Sequence, residues 1–221
     1  MTDRFTEKAN QWDENPARQA MSDAFYQEIT KQIPLQNNFK LLEFGCGTGL
    51  VGLKFQKTVQ HLTLLDTSDA MLNVLREKIT LHQIDNAQII HSDITSVKWD
   101  EKQFDGIFSS MALHHVHNIP EVLSIFYRIL KPDGFIAIAD LMKEDGSFHK
   151  DETVEHNGFD LEGLKSLISQ SGFTVKIGYP YHRIKRPDSA GNLREYEQFF
   201  LWAEKLRSEE HTSELQSRIT I

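Results

Sequence analysis

The stretch LLEFGCGTGLVGL, residues 41–53, decides how this chain is read. An apolar run of strand length enters G-x-G-x-G and leaves into helically spaced residues, which predicts a strand, a glycine turn and a helix over 50–57. Glycine lacks a Cβ and accepts turn conformations closed to other residues, so backbone amides here can come close to a ligand. The dinucleotide fingerprint G-x-G-x-x-G is not met: Leu50 stands three residues after Gly47, and the next glycine is Gly49. Glu43, two residues before Gly45, puts a carboxylate at the strand end, which repels phosphate and suits a cationic ligand. Cys46 is the single cysteine, which excludes an internal disulfide or a multi-cysteine metal site. Its place between two glycines fits a need for a small side chain better than a nucleophile.

Outward from the turn, strand-length apolar runs recur at 40–44, 61–66, 87–93, 104–110 and 134–141, and helical spacing at 69–82 and 117–130. Alternating helices with near-continuous apolar strands indicate an α/β fold, a parallel sheet covered on both faces. Upstream, 17–33 reads as a helix ended by Pro34. In LKPDGF, 130–135, Pro132 stops a helix and Gly134 supplies a positive φ. After 141 a long polar loop leads to a helix at 160–171, N-capped by Asp160, then to strands at 173–181 and 195–205 that pair as an antiparallel hairpin.

The chain has 221 residues, 39% hydrophobic and 25% charged, with net charge -8. One domain over 1–206 is expected, with 1–35 as an N-terminal helix or lid. No apolar run approaches the roughly 18 residues of a membrane span. No basic cluster and apolar core mark the start for secretion, so cytoplasm is the expected address. The negative charge opposes binding to nucleic acid and favours small-molecule partners; HRIKRP, 182–187, reads as a solvated basic loop. Residues 207–221 resemble the translated read of a sequencing adapter and are expected to be a non-native tail. A monomer or homodimer is expected.

The second predicted strand ends in Asp66, placed to take both hydroxyls of a ribose, while Ser68 fits the N-cap of the next helix. The third leads to Asp93, an acceptor for an adenine amino group. Together these motifs resemble the class I S-adenosylmethionine-dependent methyltransferases, over about 39–141, and MALHHV and RILKPDGFIAIADL resemble the methyltransferase-11-like branch. Asp133-Gly134 stands where that branch usually has two glycines. The resemblance implies a Rossmann-like, seven-stranded sheet in order 3-2-1-4-5-7-6 with the last strand antiparallel, and S-adenosyl-L-methionine as cofactor. It assigns Glu43, Gly45, Cys46, Gly47, Thr48 and Gly49 to the methionine part, Asp66 to the ribose, and Thr67, Met71, Asp93 and Ile94 to the adenine. By the same resemblance Ser109 and Ser110 match the stretch that lines the methionine moiety.

Methyl transfer from a sulfonium needs in-line positioning, no metal, and at most one proton removed from the acceptor. His115 and His156 are the candidate bases, and His114, beside the first, is an alternative to it. The loop adds Glu144, His149, Glu152, Glu155 and Asp160 as candidate acceptor-pocket residues; a metal on His149 and His156 lacks a tight ligand spacing. Phe5, Trp12 and Arg18 stand where the family has its N-terminal lid, with aromatic faces for a sulfonium and a guanidinium for a carboxylate. A methyltransferase acting on a small molecule is the first expectation. A nicotinamide-dependent oxidoreductase and a non-catalytic cofactor-binding module are the alternatives.

Overall fold

The computed structural model of the chain describes residues 9–149, 153–187 and 192–206. The tail 207–221, Phe5 and Glu152 lie outside the described residues. Seven strands form one sheet: β1 Lys40–Phe44, β2 His61–Asp66, β3 Ala87–His91, β4 Phe104–Ser110, β5 Leu130–Leu141, β6 Phe173–Pro187 and β7 Leu193–Lys205. Their order is β3-β2-β1-β4-β5-β7-β6. Pairing from β3 to β5 is parallel, and β7 runs antiparallel to both β5 and β6. Topology and the direction of the last strand are those the resemblance implied.

Four helices cover the faces: α1 Pro16–Gln32, α2 Asp69–Leu81, α3 Ile119–Ile129 and α4 Leu161–Gln170. On one face, Phe25 and Ile29 of α1 and Leu72 and Leu75 of α2 pack on Leu41, Leu64, Phe108 and Phe200. On the other, Leu123, Phe126 and Ile129 of α3 and Leu164 and Ile168 of α4 pack on Leu42, Ile107, Ile138 and Leu201. Each such fully buried side chain contributes roughly 1.5–3 kcal/mol. Successive strand residues point to opposite faces, so β4 and β5 must be apolar on both, which is why they read as unbroken runs. Ser68 and Asp160 cap α2 and α4 as expected, accepting from Met71 N at 3.2 Å and Gly163 N at 2.8 Å.

Three expectations are corrected. The helix over 50–57 is a single 3-10 turn, Gly52–Phe55. Gly49 sits at φ 77, and a Cβ on Gly52 would overlap the Glu43 carboxylate, so two poor helix formers and a short link to β2 leave no room for an α-helix. In LKPDGF the positive φ falls on Asp133, at 62°, and not on Gly134; aspartate tolerates that region better than most residues. Gly134 is required for space, since a Cβ there would stand 2.8 Å from Lys131 O. Finally, HRIKRP is the distal part of β6 and not a solvated loop. Arg183 reaches Glu197 at 2.9 Å and Lys185 reaches Glu195 at 3.1 Å across to β7.

The hairpin therefore extends past the last β5 pairing, Leu141 with Gln198, and beyond the carboxyl edge of the sheet. There Ile184 and Tyr196 form a small separate core with Leu141 and Phe148, against which Met21 and Met111 pack. Among the described residues, no helix is long and apolar enough to cross a membrane.

Candidate functional site

The glycine turn leaves β1 with Gly45, Gly47 and Gly49 at φ 71, 52 and 77, a left-handed conformation in which a Cβ crowds the backbone. Gly45 N and Cys46 N both donate to Leu65 O, at 2.9 and 3.0 Å, which ties the turn to the end of β2. The glycines are not equivalent. A Cβ on Gly45 would overlap the Ala112 side chain, and one on Gly49 would stand 2.6 Å from Leu75 Cδ1, whereas one on Gly47 would meet nothing within 4 Å. Gly45 and Gly49 thus serve packing, while Gly47 turns its bare backbone to open space. Cys46 is buried, and burial, then the charges of Glu43 and Asp66, push its thiol pKa well up. Such a thiol is a poor nucleophile.

Three carboxylates surround the turn. Asp66 Oδ2 accepts from Gly47 N at 2.7 Å and Oδ1 from Ser68 N at 2.8 Å, so the group is fixed between turn and α2. A carboxylate can accept about four hydrogen bonds, which leaves this one able to serve a ligand as well. Glu43 is buried beneath the turn with Oε2 accepting from Gly52 N at 3.1 Å; burial raises its pKa well above the carboxylate range. It is a brace under the turn in this geometry. Asp93 N-caps the short turn after β3, Oδ1 accepting from Thr95 N at 2.8 Å. Met71 and Ile94 are buried behind these groups and Thr67 is exposed at the β2 edge. Ser109, buried at the end of β4, has a hydroxyl with no hydrogen-bond partner, and Ser110 is partly exposed.

The N-terminal segment is latched onto this turn through Thr48 by Asp13 and Lys78, two residues that the sequence reading passed over. Thr48 Oγ1 donates to Asp13 Oδ1 at 2.6 Å, Lys78 of α2 donates to Thr48 O at 2.6 Å, and Lys78 also pairs with Asp13. Ser22 Oγ donates to Leu50 O at 2.7 Å. Within the segment Trp12 and Arg18 come together, the guanidinium 3.6 Å from the centre of the indole ring. The signal for the latch was absent, since Asp13 and Lys78 are ordinary charged residues until the fold joins them.

Past β4, His114 is buried with Nδ1 donating to Asp140 Oδ1 at 2.7 Å and its backbone N–H to Asp140 Oδ2 at 3.1 Å. In the neutral ring that bond places the lone pair on Nε2, an atom with no hydrogen-bond partner. The rings of His115 and His149 lie 4.1 and 4.6 Å from that of His114. His156 Nε2 donates to Val116 O at 2.9 Å, which leaves its lone pair on Nδ1. The rest of the loop set does not converge. Glu155 pairs with the exposed His117 at 2.9 Å, Glu144 turns back to Phe148 N, and Asp160 caps α4. Asp140 was missed because it was read as part of an apolar strand, although a buried aspartate needs a partner and so announces one. Among the described residues no group of histidine, cysteine and acidic side chains could hold a metal.

All these groups gather at the carboxyl ends of β1, β2, β4 and β5, where open α/β sheets bind ligands. A depression of about 550 Å³ lined by Lys40, His61, Asn86 and Phe104 lies at the opposite, amino end of the strands and does not bear on this site. Sheet order, glycine turn and acidic β2 terminus together define the class I methyltransferase fold. Residues 42–138 match the model of the methyltransferase domain family. It is 28% identical over 155 residues to an uncharacterized methyltransferase of Schizosaccharomyces pombe, covering 63% of this chain and 55% of that one. It is 31% identical over 116 residues to a demethylmenaquinone methyltransferase of Listeria monocytogenes, covering 51% and 49%. The chain thus spans about half the length of these curated relatives. Its fold is that of an S-adenosylmethionine-dependent methyltransferase from Aquifex aeolicus, with a TM-score of 0.69, 18% identity and coverage of 91% of this chain and 98% of that one.

Proposed function

We propose that the protein transfers a methyl group from S-adenosylmethionine to a small-molecule acceptor. The observation that carries this reading is the environment of Gly47: a bare backbone facing open space, beside a fixed Asp66 and above a buried Glu43. Asp66 is the fixed carboxylate facing this space, and Lys78 beside the turn is engaged by Thr48 O and Asp13, an arrangement that suits a cationic ligand better than a pyrophosphate. The residues present therefore fit the cofactor, which supplies an electrophilic methyl group when bound. Gly45, Cys46 and Gly47 hold its amino-acid end over the brace of Glu43, and Asp66 takes the ribose hydroxyls. Thr67, Met71, Asp93 and Ile94 border the adenine, Ser109 and Ser110 the methionine chain, and Trp12 and Arg18 close the N-terminal side.

His115 is the foremost candidate to take a proton from the acceptor, because it is partly exposed at the end of β4. His156, whose Nδ1 carries the lone pair, is the second. Behind them the Asp140–His114 pair positions the imidazole stack, as a buried carboxylate fixes tautomer and ring orientation. A small acceptor accords with the net charge of -8, which disfavours a polyanionic substrate, and with the relative that acts on demethylmenaquinone. The test is incubation with methyl-labelled S-adenosylmethionine and a metabolite extract, followed by mass spectrometry. Labelled products heavier by one methyl group are expected. Cofactor binding without any labelled product would leave a binding module in place of an enzyme.

A further inference from the structure

On β7, Tyr196, Gln198, Phe200 and Trp202 alternate with residues of the α3–α4 side and so share the face that α1 covers. Phe25 of α1 meets Phe200 there, ring centres 6.0 Å apart. Gln198 has no exposed surface, and neither its amide oxygen nor its amide nitrogen has a hydrogen-bond partner. Opposite it on β6 the register breaks between Pro180 and His182, a bulge that re-aims Tyr181. The Tyr181 ring lies 6.1 Å from that of Phe200, and its buried hydroxyl also lacks a partner. An unpaired buried polar group is costly, and a leucine and a phenylalanine would fill the same space without that penalty. Two such side chains on one face of adjacent strands are therefore placed for something that completes them.

Their position relates them to the reaction. Gln198 pairs with Leu141, next to Asp140, and the neighbouring Ala139 O accepts from Met111 N at the end of β4. We propose that Gln198 and Tyr181 form a recognition subsite for the acceptor, and that the acceptor is a hydroxylated aromatic compound. An amide and a phenol both donate and accept, which matches a hydroxyl, and the partly buried rings of Tyr179 and Trp202 stand on the same face, packed against the buried Phe200 cluster. Only the word acceptor rests on the methyl-transfer reading; the binding chemistry stands on the side chains themselves.

The probes are 2-naphthol and its hydroxyl-free analogue naphthalene, titrated by calorimetry into the full chain saturated with S-adenosylmethionine, as the native protein, Gln198→Leu and Tyr181→Phe. Native protein is expected to prefer 2-naphthol by at least about tenfold, because a site built to bond a hydroxyl rejects the analogue lacking one. That preference should vanish in Gln198→Leu and shrink in Tyr181→Phe, with cofactor affinity unchanged. Without probe, both variants should melt no lower than native, since no internal hydrogen bond is lost. Equal native affinity for the two probes overturns the subsite, and so does a preference that survives both substitutions. A preference lost as expected with no labelled methyl transfer to 2-naphthol supports the subsite and counts only against the enzymatic reading.

Discussion

On the β1–β2–β3 side, Asp66, Glu43 and Asp93 each hold a backbone N–H in a short, defined bond. On the β5–β7–β6 side, His114 Nε2, Tyr181 Oη and both amide atoms of Gln198 are buried without a partner. The first arrangement is a cradle whose three carboxylates are held by backbone N–H groups before a ligand arrives, although the buried Ser109 hydroxyl beside it has no partner. In the second, polar atoms are presented to a molecule that has to supply the missing bonds. A fold that receives one fixed cofactor and one variable acceptor has reason to be built this way: rigid where the ligand does not change, incomplete where it does.

Substitutions in the cradle separate packing from binding. Gly45→Ala adds a Cβ that overlaps Ala112 in a left-handed conformation, and should lower stability by about 2–4 kcal/mol in urea unfolding. Gly47→Ala meets nothing and should lose only about 1–2 kcal/mol, while weakening cofactor binding more than it weakens the fold. Equal stability losses would remove the distinction between the two glycines. On the acceptor side, Asp140→Asn should lower kcat on the order of 10- to 100-fold with cofactor affinity unchanged. A change in cofactor affinity alone would place Asp140 with the cradle.

A smaller effect is expected from Glu43. Burial raises its pKa, so over the range above the ordinary carboxylate value the native fold retains a proton that the unfolded chain has released. Its contribution to stability is therefore greatest in acid and declines as pH rises, until the native carboxyl ionises. Glu43→Gln removes this decline, so the melting temperature of the native protein should fall relative to that of the variant between acid and neutral pH. Parallel melting curves would mean that Glu43 carries no such proton.

The cradle was legible because it is written in neighbouring residues: the glycines after an apolar run, Asp66 and Asp93 at the next two strand ends, Ser68 one step on. Each obeys a local rule, and the sheet order followed from the resemblance. The acceptor side depends on pairings that no local rule reports. Asp140 inside an apolar run announces that it has a partner but not which one, until His114 arrives from elsewhere in the chain, and Gln198 likewise becomes informative only beside Tyr181. The helix misread at 50–57 has the opposite cause, since helical spacing was present but Gly49 and Gly52 answer to the turn and to Glu43. The length of β6 was hidden by HRIKRP, whose charges look like a loop until Glu195 and Glu197 pair with them.

The most direct test of the account is calorimetric titration of S-adenosylmethionine into the native protein and Asp66→Ala, with unfolding followed on both. The native chain should bind one cofactor, and the variant, still folded, should bind it weaker by roughly 1–3 kcal/mol. Equal affinity in the two proteins, or no binding to the native chain, would contradict the placement of the cofactor at the glycine turn.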